Sequence, residues 1–138
     1  MPTPPRLTAR QQPLRAARTC YDHLAGVLGV AVTEALVARQ ALVADGPGGF
    51  RLGPAAEPTF SSLGVDLPEQ ATRRASRPLL RSCTDWTEQR PHLAGRLGAA
   101  VADSMLSQGW LVRNSAGRSV AVTDLGRQRL AHCLELDL

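Results

Sequence analysis

The chain has 138 residues, 43% of them hydrophobic but only 4% aromatic, enough for one ordinary domain or two very small ones with a core of Leu, Val and Ala. Its 16 basic residues are all Arg and face 12 acidic ones, a formal net charge of +4, and its three cysteines make no disulfide framework. No apolar run reaches the ~18–20 residues of a membrane span, and Met1-Pro-Thr-Pro-Pro-Arg6 has no signal-peptide core, so a reducing, cytoplasmic setting without membrane contact is expected.

Residues 1–13 read as a basic, flexible arm. Arg6, Arg10, Arg15 and Arg18 precede the first acid, Asp22, and the rest of the chain is electrically balanced. Such an arm can touch phosphates or an acidic partner, or it can simply be solvated.

Residues 14–67 form a first unit and 81–138 a second, because the chain repeats itself. Arg18-Thr-Cys-Tyr-Asp22 is echoed by Arg81-Ser-Cys-Thr-Asp85. The stretch from His23 to Leu36 matches that from His92 to Met105 at 8 of 14 positions. Leu63-Gly-Val-Asp-Leu67 is echoed by Leu134-Glu-Leu-Asp-Leu138. The offset is 63 residues in the first block and 69 in the second, so the second unit carries a six-residue insertion, Trp86-Thr-Glu-Gln-Arg-Pro91.

Within each unit the elements follow one order. Leu24, Leu28, Ala31 and Ala35, and likewise Leu93, Leu97, Ala100 and Ser104, mark one face of helices over 23–38 and 92–106. Gly26, Gly29, Gly95 and Gly98 within them suggest close helix packing or a nearby ligand. A hairpin follows, over 41–43 and 50–52 in the first unit and over 109–112 and 120–122 in the second. Thr123 then caps a short helix. Residues 68–80, with Arg73, Arg74 and Arg77, read as a connecting helix interrupted at Pro78. The expected fold class is therefore α+β, mostly α, with tandem duplicated winged-helix-like units (helix, β-hairpin wing, short helix).

The segments Leu14–Gly26 and Cys83–Gly95 resemble the C-terminal, effector-side region of a branch of ArsR-type winged-helix transcriptional regulators. Val122-Thr-Asp-Leu-Gly-Arg127 is similar to the turn after the wing in that branch. Leu52-Gly-Pro-Ala-Ala56 departs from that turn, so the first wing reads as degenerate. Such regulators carry a DNA-binding winged helix before this region, and Met1 falls where the linker would stand. The resemblance implies transcriptional regulation through a small ligand or partner protein, with a homodimer expected.

DNA reading by this chain alone is disfavoured. A recognition helix aims Arg, Lys, Asn or Gln at base edges, whereas 23–38 offers Gly, Val, Leu and Ala, and 92–106 offers only Arg96.

The duplicated Cys and His carry the candidate chemistry. Cys20 and His23, at i and i+3, share a helical face, and the repeat makes Cys83 and His92 their equivalents. A local twofold would converge Cys20, His23, Cys83 and His92 into a set of two thiolates and two imidazoles suited to Zn2+. With Asp22 and Asp85 the same residues supply the types for thiol catalysis by a small enzyme. They also suit plain core packing, with each His as a cap or a hydrogen-bond partner. Tyr21, Trp86, Glu88 and Arg90 are candidates to line a ligand cleft beside them. Trp110 and Cys133 read as structural.

Overall fold

In the computed structural model, residues 17–20, 23–46, 49–72, 78–84, 88, 91–114 and 119–138 are described. Helices and two-stranded antiparallel hairpins alternate through them. The first half holds β1 (Arg18–Cys20), β2 (His23–Ala25), α1 (Gly26–Ala38), β3 (Leu42–Ala44), β4 (Phe50–Leu52) and α2 (Ala56–Ser62). After α3 (Leu67–Thr72), the second half holds β5 (Arg81–Thr84), β6 (Pro91–Ala94), α4 (Gly95–Ser107), β7 (Leu111–Arg113), β8 (Val120–Val122) and α5 (Asp124–Leu134). The order hairpin, helix, hairpin, helix thus occurs twice. The architecture is α+β with small antiparallel hairpins.

The helices expected from 23 and 92 start three residues later, and the residues before them are strands. The physical reason is the glycine at each boundary. Gly26 and Gly95 adopt left-handed backbone, φ +74 and +76, which ends a strand and turns the chain into a helix. Gly29 and Gly98 serve the same corner. A Cβ on either would stand 2.5 or 2.7 Å from the carbonyl oxygen of Leu24 or Leu93, in the preceding strand. The glycine pairs therefore make room for each half's own hairpin, where the sequence had suggested another helix. The buried line also shifts by one position. Leu28, Val32 and Leu36 on α1, and Leu97, Val101 and Met105 on α4, face the core, while Ala31, Ala35, Ala100 and Ser104 are half-buried at its margin.

The second hairpin of each half falls where expected. Leu42 pairs with Leu52 and Leu111 with Val122. The Gly53 amide donates to the Ala41 carbonyl at 2.9 Å, and the Thr123 amide to the Trp110 carbonyl at 3.0 Å, so one contact closes both corners. Thr123 caps α5 as expected, accepting from the Gly126 amide at 3.0 Å. The chain leaves α2 and α5 in similar ways, through buried Leu63 and Leu134 followed by left-handed Gly64 and Glu135. Of the expected connecting helix, Leu67–Thr72 is helical and Pro78–Leu80 is not; 73–77 lie outside the described residues, as do 1–16. Arg18 and Thr19 lie in β1.

The halves pack reciprocally: α1 lies on β6, α4 lies on β2, and β2 meets β6. Thr33 locks this exchange. Its hydroxyl donates to the Gly29 carbonyl and accepts from the Leu93 amide of the other half, both at 2.8 Å. One continuous core results, joining Leu28, Val32 and Phe60 to Leu97, Met105, Leu111 and Leu130. A half of roughly 60 residues buries only a marginal share of its apolar surface by itself, and a shared core adds to it.

Candidate functional site

The repeated Cys and His are cross-strand neighbours. Cys20 pairs with His23 across β1–β2, and Cys83 pairs with His92 across β5–β6. This corrects the expectation that Cys20 and His23 share a helical face: they stand opposite each other on antiparallel strands. The six-residue insertion lengthens that connection in the second half while leaving the Cys–His register intact.

Because β2 packs on β6, the two hairpins bring their histidines face to face. The His23 and His92 Nε2 atoms are 3.0 Å apart, with ring centroids 4.8 Å apart and planes tilted by 48°. At that distance one Nε2 donates its hydrogen while the other accepts, so the two rings adopt complementary tautomers. Cys83 completes the group. Its Sγ and a nitrogen from each ring all lie within 4.8 Å of one another. His23 and His92 are 5% and 0% exposed, and Cys83 is half-buried, so the thiol is the member open toward solvent. Gly98 secures the approach: a Cβ there would stand 3.3 Å from the His23 Cβ.

Of the residues singled out in the sequence, the structure thus unites His23, Cys83 and His92, and it does so across the two halves. Cys20 is placed by its backbone alone. Tyr21, Asp22, Asp85, Trp86 and Arg90 lie outside the described residues. Glu88 is half-buried in the long connection of the β5–β6 hairpin. Trp110 is buried, as expected of a core residue. Cys133 is also buried, and its thiol donates to the Ser62 carbonyl at 3.5 Å. It borders a surface cleft of about 490 Å³ with Arg39, Thr59, Ser62 and His132. Sequence reasoning missed Thr33, whose hydroxyl ties α1 to the strand bearing His92; a hydroxyl residue within a largely apolar helix was the available signal.

Chemically, two imidazoles and one thiol form a borderline donor set for metal ions. For thiol catalysis the same trio supplies a nucleophile and a base, but both rings are sealed from solvent and substrate would reach only the Cys83 side. Most of α1 is buried, and Arg96 on α4 donates to the Gln70 carbonyl at 2.6 Å.

Fold and site together define a small α+β protein built from paired hairpins around a cluster of two buried histidines and one half-buried cysteine. Over 114 residues, 83% of this chain, it is 38% identical to YdfF of Bacillus subtilis (strain 168), an uncharacterised HTH-type transcriptional regulator. The aligned region is 49% of that protein, so the chain spans about half the length of this relative. No family profile matches the chain, and no solved structure matches it. This chain is thus similar, over most of its own length, to about half of an HTH-type transcriptional regulator.

Proposed function

We propose that this chain is the effector side of an ArsR-like transcriptional regulator, made of two tandem winged-helix-like units that receive a signal and do not read DNA. In this reading β3–β4 and β7–β8 are the wings. Helices α1 and α4, which precede them, have been turned inward as packing elements. The observation that carries the regulatory role is the 38% identity to a regulator across most of the chain. The burial of α1 and the engagement of Arg96 support assigning DNA contact to the half of such a regulator that this chain does not span. The signal, a small ligand or a partner protein, would act where the two units meet, at His23, Cys83 and His92. A homodimer is part of the proposal, and sedimentation equilibrium of the purified protein tests it.

Removing the gene and profiling transcripts tests the regulatory role. A small, defined set of genes should change, and Cys83→Ser at the native locus should alter the response of that same set. An unchanged transcript profile overturns the reading. In a gel shift the chain by itself should give no discrete, sequence-dependent complex with duplex DNA at low salt; such a complex would contradict the inward role of α1 and α4.

A further inference from the structure

We propose that His23, Cys83 and His92 bind a divalent transition-metal ion of borderline softness, with Zn2+ as the reference case. That the ion is the signal rests on the regulatory reading above; that it binds does not.

The donor types are those that select such ions over hard cations, since imidazole and thiolate bind Zn2+ well and Ca2+ or Mg2+ poorly. The spacing is close to what is needed. Tetrahedral zinc with bonds of about 2.0–2.1 Å to nitrogen sets its two nitrogens roughly 3.3–3.4 Å apart. The His23 and His92 Nε2 atoms stand at 3.0 Å, so the rings need to separate by only a few tenths of an ångström. The sulfur lies within 4.8 Å of a nitrogen of each ring, so on binding the half-buried Cys83 thiol has to close the remaining distance to the ion. The strand register holds Cys83 opposite His92, so two of the three ligands are already fixed relative to each other.

Binding exchanges a hydrogen bond for coordination. The imidazole that carries its proton on Nε2 moves to the Nδ1 tautomer, freeing both Nε2 lone pairs. The Cys83 thiol gives its proton to solvent and binds as thiolate, so one proton leaves for each ion taken up. No oxidation is involved. His23 comes from the first half, and Cys83 and His92 from the second, so the ion ties the halves at the seam where α1 and α4 exchange partners. Occupancy therefore acts on the packing of the whole chain.

The test is titration of the purified, reduced protein with Co2+, followed by displacement with Zn2+. The expected result is one ion per chain, with a thiolate charge-transfer band and the intense visible bands of tetrahedral cobalt. Cys83→Ser, a near-isosteric change at a half-buried position, should lower affinity by about 100-fold or more, and His23→Gln should do likewise. Circular dichroism checks that each variant keeps its fold. His132→Gln, at the exposed histidine of α5, should titrate like the parent protein. Substoichiometric uptake by the parent, or Cys83→Ser titrating like His132→Gln, overturns the proposal. Stoichiometric binding with an unchanged transcript profile would keep the site and sink the regulatory reading; the converse pair of results would do the opposite.

Discussion

Gln40 and Gly109 occupy equivalent corners after α1 and α4, and both are left-handed, φ +62 and +76. Only one of them is glycine. Gln40→Gly should therefore stabilise the protein by about 0.5–1 kcal/mol, relief of the Cβ clash outweighing the added chain entropy of glycine. A urea denaturation midpoint below that of the parent would refute this. Gly98 is constrained differently, by space. Gly98→Ala places a Cβ 2.7 Å from the Leu93 carbonyl and 3.3 Å from the His23 Cβ, so the strand bearing His92 or the His23 side chain must move. The expected cost is about 1–3 kcal/mol, together with weaker Co2+ uptake, read by denaturation and titration of the same variant. At Thr33 the effect is on hydrogen bonding. Thr33→Val keeps the shape but leaves the buried Leu93 amide without its acceptor, and should cost about 1–3 kcal/mol. Thr33→Ser, which keeps the hydroxyl, should cost distinctly less.

Among the elements, the hairpins with conspicuous turn residues were legible, and those without were not. Asp45-Gly-Pro-Gly-Gly49 and Asn114-Ser-Ala-Gly117 announce reversals, and strands flank both. The β1–β2 and β5–β6 hairpins were hidden because His-Leu-Ala-Gly runs into an apolar helix without interruption. A short apolar run has no period of its own, so helix and strand read alike there. The paired glycines were the available signal; their meaning depends on φ, which the sequence does not display. The cap of α5 was legible, since Thr before Asp-Leu-Gly is a strong N-terminal signature. Thr123→Ala should lower stability by about 1 kcal/mol in chemical denaturation, and by more if loss of its bond to the Gly109 carbonyl loosens the corner as well.

For the whole molecule, one core and one seam join the halves, so a ligand at the seam should stabilise everything at once. At a free Zn2+ concentration about 100 times its dissociation constant, binding contributes about 2.7 kcal/mol to the native state. In thermal unfolding the metal-loaded protein should melt as a single transition several degrees above the chelated one, and Cys83→Ser should lose that difference. Two separate transitions would contradict the shared core. The distribution of charge has less consequence than the +4 total suggests, because the excess lies before Asp22 and not on α1 or α4.

The sequence by itself determined the repetition of blocks, the second hairpins, the capped last helix and the pairing of one Cys with one His in each half. Periodicity, turn chemistry and self-similarity are local properties, and a sequence displays them directly. It also showed that the long helices carry few side chains of the kinds that read bases, Arg96 being the only basic one. Only the tertiary structure decided that Cys and His meet across a hairpin, and that His23 meets His92 from the other half. Those facts depend on strand register and on the reciprocal packing of β2 with β6. Long-range contacts of this kind follow from filling one shared core, and no spacing along the chain encodes them.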